Sequence, residues 1–370
     1  MNKKKILQVN KSYYPTIGGI EKTVQQIAEG LNEQTEMNVL VCSENRYAVA
    51  EVINGVKVTR VPSIFKWGNL PIPLGFNSAL RRLSKEQDVI HLHMPFPFGD
   101  LACLLSGYKG KIVLWWHSDV VRQKKMMLLY KPIMLGMLKR ADAIVVATEG
   151  HINGSAYLQP FREKCVIIPF GVNKNIELVA DEYMANRNKA TKHHKVRFLF
   201  VGRLVYYKGC KFLLEAFAHV KDAELVIVGS GVMEEELKQL ARDLQINEDV
   251  HFMGEVSEEE LSRQYAQCDV FVLPSIAKSE AFALVQIEAM AFGKPVINTN
   301  LPSGVPYVSI DKVTGLTVEP EDVEGLSKAM QWMAEHEEER LAMGEAARKR
   351  MKEEYRLEKM LERVYEVYVS

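Results

Sequence analysis

At 370 residues the chain is too long for one ordinary core, and its 47% hydrophobic and 25% charged residues are those of a globular protein with two domains. No run approaches the ~18 apolar residues needed to span a bilayer, so no transmembrane helix is expected. The formal net charge is zero, yet residues 1–175 carry 23 Lys+Arg against 13 Asp+Glu and the remainder 24 against 34; the halves either face different partners or have drifted apart in charge.

Short apolar strands alternate with amphipathic helical stretches, the pattern of parallel α/β sheets. Met-Asn-Lys-Lys-Lys leads straight into a strand over Ile6–Asn10 without a small-residue cleavage site, so no secretory signal is expected. Further strands are expected over Asn38–Cys42, Val56–Val61, Val89–His93, Lys111–Trp116, Ala143–Ala147 and Val166–Pro169. A helix over Ile20–Asn32 places Val24, Ile27, Ala28 and Leu31 on one face. Residues 174–195 are polar and aperiodic, and read as an interdomain linker. A second series follows, with strands over Val196–Val201, Leu225–Val228, Val250–Met253, Val270–Leu273 and Pro295–Asn298. Its helices are expected over Lys211–His219, Glu258–Ala266 and Ala283–Phe292, and the last ~45 residues are charged and helical. Cys42, Cys103, Cys165, Cys210 and Cys268 lack CxxC spacing and sit mostly in apolar segments, which suggests reduced thiols and the cytoplasm.

Candidate chemistry gathers at strand ends. Gly18 and Gly19 join the first strand to the first helix, where glycine lets backbone approach a ligand and a helix N-terminus offers amides. The turn is not the GxGxxG of a dinucleotide fold, and a Gly-Gly turn is often merely a turn. His91 and His93 share one side of a strand and read first as packing or cleft-lining residues, and only then as half a metal site. His117 closes the strand Lys111–Trp116. Residues 121–140 set Arg122, Lys124, Lys125, Lys131, Lys139 and Arg140 among Met126, Met127, Leu128, Leu129, Ile133, Met134 and Leu138. That is either a membrane-surface helix or a core helix with snorkelling lysines, and Pro132 is expected to kink or divide it.

In the second half, Arg203 and Lys208 leave the carboxyl end of a strand within Gly202-Arg203-Leu204-Val205-Tyr206-Tyr207-Lys208-Gly209. Fixed cations there suit a diphosphate leaving group, whose charge grows as its bond breaks; the plain alternative is an exposed turn. Glu280 falls in a loop before a helix and Glu288 inside that helix. Carboxylates beside a phosphate site are electrostatically awkward unless they bind sugar or ribose hydroxyls. Otherwise Glu280 caps the helix and Glu288 is solvated. No Asp-x-Asp occurs, and no catalytic metal or other cofactor is expected.

The E-x7-E spacing of Glu280 and Glu288, the run Glu288-Ala289-Met290-Ala291-Phe292-Gly293-Lys294-Pro295-Val296 and the later Thr314-Gly315-Leu316 together resemble the retaining GT-B glycosyltransferases of family 4. The resemblance covers nearly the whole chain and is densest over residues 196–320. It implies two facing doubly wound Rossmann-like domains around a cleft: an acceptor-side domain over 1–175 and a donor domain over 190–355, with the helix near 356–370 packed back on the first. Arg203 and Lys208 would then bind the diphosphate, Glu288 the nucleotide ribose and Glu280 the donor sugar, with Ala281, Phe282, Ala283 and Leu284 completing the donor loop. Gly18 and Gly19 would lie against phosphate or acceptor, and His117 against the sugar.

The stretch His117-Ser118-Asp119-Val120-Val121-Arg122-Gln123-Lys124 is similar to bacterial O-antigen mannosyl- and rhamnosyltransferases. A GDP-sugar donor, a lipid-linked oligosaccharide acceptor and peripheral contact with the inner face of the membrane are implied; no nucleic acid is. Many relatives carry Gly-Gly-x-x-Glu where this chain has Leu301-Pro302-Ser303-Gly304-Val305, so phosphate-facing amides are expected from Ser303 and Gly304. A UDP-sugar transferase, a nucleotide-sugar epimerase of the same architecture and a non-catalytic nucleotide-sugar binding subunit are the alternatives.

Overall fold

The computed structural model describes residues 3–16, 18–43, 47–67, 70–119, 124–186 and 195–370. The chain divides into two compact units, Met1–Phe170 with Glu358–Ser370, and Gly171–Leu357.

In the first unit the strands are β1 (Lys4–Val9), β2 (Thr35–Ser43), β3 (Val49–Ile53), β4 (Val56–Trp67), β5 (Leu70–Pro73), β6 (Val89–Met94), β7 (Lys111–Trp116), β8 (Ala143–Val146) and β9 (Cys165–Ile167). They are ordered β3-β4-β2-β1-β6-β7-β8-β9, with β5 on β4; β3 and β5 are antiparallel and the other pairings parallel. Helices cover parallel sheets on both faces, so central strands read as near-continuous apolar runs, and every residue of β6 is buried. The order in which strands are added reverses between the parallel neighbours β1 and β6, a switch point where ligands bind at strand carboxyl ends.

The second unit holds β10 (Val196–Val201), β11 (Ala223–Val228), β12 (Val250–Gly254), β13 (Val270–Val272), β14 (Val296–Thr299) and β15 (Gly315–Val318). They form an all-parallel sheet, β12-β11-β10-β13-β14-β15, with its switch point between β10 and β13. Phe198, Phe200, Leu213, Leu225, Ile227, Val272 and Ile297 centre its core.

Two expectations change, and one unforeseen element is added. Residues 174–186 are not linker: Lys174–Asn186 is a helix that buries Ile176, Glu177 and Ala180. Among its polar residues is Glu177, whose buried carboxylate pairs with Lys174 at 3.5 Å and Arg356 at 2.8 Å. The rest of that expected linker, 187–194, lies outside the described residues. The helix Lys124–Arg140 runs through Pro132 undivided; the carbonyl that proline leaves unpaired belongs to Leu128, a residue 77% exposed to solvent. β3 and β4 make a hairpin through Asn54-Gly55, both at positive φ, the two-residue turn that Asn-Gly favours.

Candidate functional site

In the second unit the site grows from two loops at the switch point. After β10 the chain makes a short 3-10 turn at Tyr206–Lys208 and turns on Gly209 at φ 72°. A Cβ on Gly209 would stand 1.9 Å from the Pro274 carbonyl oxygen, so only glycine lets the loops after β10 and β13 touch. Ile276 N–H then donates to the Tyr207 carbonyl at 2.9 Å. This contact brings Lys208 and Glu280 together: Nζ lies 2.5 Å from Oε2, with both side chains about a tenth exposed (11% and 10%). The same carboxylate oxygen accepts the Ser275 hydroxyl at 3.1 Å. Glu280 is therefore the counter-ion of Lys208, and the helix-cap reading is set aside. Arg203 is exposed, and its guanidinium donates to the Tyr207 hydroxyl at 2.9 Å.

Ala281 to Leu284 lead into the helix Leu284–Ala291. The Ala281 carbonyl accepts Gly304 N–H at 2.7 Å, and Phe282 is buried edge-on against Tyr355. Ala283 sits at φ 61° immediately before the helix, a left-handed conformation costing an L-residue roughly 1–2 kcal/mol. Among the described residues no side chain caps that end, so the first turn directs uncapped amides and partial positive charge outward from it. One turn into the helix, Glu288 is 7% exposed and accepts the Tyr265 hydroxyl at 2.9 Å. Burial and then Glu288 push the Tyr265 hydroxyl far above its ordinary pKa, so it stays a donor. A solvated Glu288 is thus excluded. The expected amides of Ser303 and Gly304 are already used, Ser303 N–H on the Leu301 carbonyl at 2.8 Å and Gly304 N–H on Ala281.

In the first unit, Gly18 precedes the helix Gly19–Gly30 in extended conformation. A Cβ on Gly18 would meet Glu21 Oε2 at 2.3 Å, whereas one on Gly19 would meet nothing within 4 Å among the described residues. Glu21 is 7% exposed and lies 3.9 Å from Lys11 Nζ. His117 follows β7, held by its N–H on the Met94 carbonyl at 3.1 Å. Its buried ring stacks with His93, Trp115 and Phe170 at centroid distances of 5.2, 5.9 and 5.8 Å. Burial, followed by His91, His151 and Lys11, holds His117 well below the usual imidazole pKa. It is neutral at physiological pH and adds no charge against a phosphate. His91 and His93 bond to neighbours, His91 to Tyr368 at 2.7 Å and His93 to His117 at 2.9 Å. Among the described residues no group of three or more His, Cys, Asp or Glu side chains is placed to hold a metal ion.

Most of the apolar stretch after residue 126 is core: Met127, Tyr130, Met134, Met137 and Leu138 are buried. Leu128 and Leu129 are 77% and 79% exposed, and Lys131 and Lys139 are exposed as well. Arg122 lies outside the described residues, as do the side chains of Lys124, Lys125 and Met126. Among the described residues no helix is long and apolar enough to cross a membrane.

Sequence reasoning missed Ser275, Tyr207 and Tyr265, the groups that hold the charged residues in place. Only a doubly wound sheet with its switch point at β10 and β13 points to Ser275; no motif marks the tyrosines.

Comparison with known proteins gives concordant matches. Residues 17–175 match the family described as Glycosyltransferase Family 4, and residues 183–350 match Glycosyl transferases group 1. The chain is 32% identical over 356 residues to the D-rhamnosyltransferase WbpZ of Pseudomonas aeruginosa, covering 94% of this chain and 91% of that protein. It is 29% identical over 368 residues to the O-antigen chain mannosyltransferase C of Escherichia coli, covering 99% and 98%. Among solved structures, Anabaena HepE in complex with UDP superposes with a TM-score of 0.77 at 17% identity, over 98% of this chain and 99% of that one.

Proposed function

The chain belongs to the group 1, family 4 glycosyltransferases and has the GT-B fold; from that premise we propose that it moves mannose or a related hexose from a GDP-sugar to a lipid-linked oligosaccharide, with retention at the anomeric carbon, in O-antigen or similar surface-polysaccharide synthesis. Family membership makes it a hexosyltransferase and sets aside the epimerase and the non-catalytic subunit.

One observation carries the site: the Lys208–Glu280 pair at the switch point of the second sheet. Catalysis here needs groups that bind charge more tightly as it forms on the departing diphosphate. Arg203, Lys208 and the amides of the helix Leu284–Ala291 supply them without a metal ion. Before the donor arrives, Lys208 is neutralised by Glu280. A bound diphosphate competes for Lys208 and frees the carboxylate to accept hydroxyls of the sugar. Glu288, set by Tyr265, takes the ribose diol, and His117 contacts the sugar. The acceptor attacks on the leaving-group face, and a donor phosphate oxygen takes its proton. The protein contributes orientation and fixed charge.

The mannosyl- and rhamnosyltransferase relatives support mannose or a related hexose as the sugar transferred. HepE binds UDP, which keeps a UDP-sugar as the second reading. Leu128 and Leu129, exposed beside Lys131, support contact with an anionic membrane on the cytoplasmic side, where a lipid-linked acceptor lies.

A panel of GDP- and UDP-sugars, each offered with a lipid-linked acceptor in anionic vesicles or a soluble oligosaccharide, tests this reading. GDP should be released only from a GDP-hexose and fastest with the vesicles, and NMR of the product should show the donor's anomeric configuration. Turnover confined to UDP-sugars, or equal rates on the soluble acceptor, would remove the donor or acceptor assignment respectively.

A further inference from the structure

From His117 inward, five side chains, His117 among them, form a line of hydrogen bonds across distant parts of the first unit. Strand register builds it: Gln8 on β1 lies opposite His91 on β6, and His93 opposite Trp115 on β7, so the polar groups share one face. Tyr368, from the helix Leu357–Val369, closes the line.

The direction of each bond follows from simple donor counting. Gln8 turns its amide nitrogen to the Tyr368 hydroxyl at 2.8 Å and its carbonyl oxygen to His93 Nε2 at 2.7 Å. A carbonyl oxygen only accepts, so His93 carries its proton on Nε2. His91, His93 and His117 are all neutral: burial is the largest cause in each, taking His91 to about 3 and the other two well below 6.5. A neutral imidazole has one N–H, so His93 Nδ1 is bare. That atom lies 2.9 Å from His117 Nε2, which must therefore donate. His117 Nδ1 is then bare too, and among the described residues no group hydrogen-bonds it. At the other end Tyr368 accepts from Gln8 and donates to His91 Nδ1 at 2.7 Å. The line ends at His91 Nε2–H, buried and without a partner among the described residues.

We propose that Gln8, His93 and Tyr368 are positioning residues that lock His117 as its Nε2–H tautomer, so that it offers the donor sugar a lone pair at Nδ1 and no N–H. This rests on the reading of His117 as a sugar contact. It deepens that reading by naming the chemistry: His117 accepts from a hydroxyl and does not bind phosphate. Stacking against Trp115 and Phe170, with ring planes 13° and 11° apart, fixes the ring while the relay fixes its proton. No charge moves along the line, and none is needed.

Histidine-15N-labelled protein examined by long-range 1H–15N correlation reads the tautomer directly. Wild-type His117 should show a bare Nδ1 and a protonated Nε2 at neutral pH. Gln8→Met cuts the relay at its centre, and the milder Tyr368→Phe removes one hydroxyl; both should turn His117 into a mixture of tautomers and lower kcat about tenfold or more. A wild-type proton on Nδ1, or a 15N signature unchanged in both variants, overturns the relay. A mixture of tautomers with wild-type kcat overturns the positioning role. Full activity in His117→Phe would instead sink the reading of His117 as a sugar contact, whatever the relay shows.

Discussion

Lys208→Met should lower kcat by about 10²–10³ and also lower the melting temperature. The two losses have separate causes. Lys208 lies 2.5 Å from Glu280, and both side chains are about a tenth exposed (11% and 10%). Removing the cation strands a mostly buried carboxylate, and breaking a buried pair this way costs about 3–5 kcal/mol, less where water still reaches it. Adding Glu280→Gln removes the stranded charge, so the double variant should regain melting temperature. It should regain none of the turnover, because the missing cation is the one the departing diphosphate needs. Thermal unfolding and steady-state rates on the two single variants and the double check both halves. Recovery of activity in the double variant would make Lys208 a purely structural partner of Glu280.

Glu288→Gln should raise KM for the nucleotide sugar about 10- to 100-fold and leave kcat within a few-fold, since a hydrogen bond to a charged group is worth about 1.5–3 kcal/mol. The ribose does not change during transfer, so a contact to it is uniform binding and appears in KM. Tyr265 donates to Glu288 at 2.9 Å and aims the carboxylate. Tyr265→Phe should therefore move KM in the same direction by a smaller factor. Donor-concentration series on both variants measure this. If melting temperature falls in both while KM holds, Glu288 serves only to brace Tyr265.

Much of the sheet architecture was legible because central parallel strands are apolar on both faces. Lys111–Trp116 and Val196–Val201 coincide with the strands read from sequence. Edge elements were harder. β3 is a short, largely exposed strand, and its Asn54-Gly55 turn was the one local sign of it. The helix Lys174–Asn186 was hidden in part by Glu177, a buried charged residue whose partners include Arg356, 179 positions away.

Of the site, the charged residues could be found by their place at strand ends and by family resemblance. The groups that set their state could not. Glu280 gives no local sign that Lys208 will neutralise it, since that pairing depends on the backbone contact at Gly209. Gln8 and Tyr368 stand 360 positions apart, and only the assembled unit brings them to one hydrogen bond. Ser303 and Gly304 show the reverse. Their amides are plausible phosphate donors in sequence, and Leu301 and Ala281 already occupy them in the fold.

The central claim is that side-chain cations and helix-end amides, with no divalent ion, carry the charge of the leaving diphosphate. Nucleoside diphosphate release from the preferred donor and acceptor, followed in excess EDTA and again in magnesium, tests it most directly. The account predicts equal rates in both. A rate that collapses in EDTA and is restored only by a divalent cation would contradict it, and Arg203 and Lys208 would lose the role given to them.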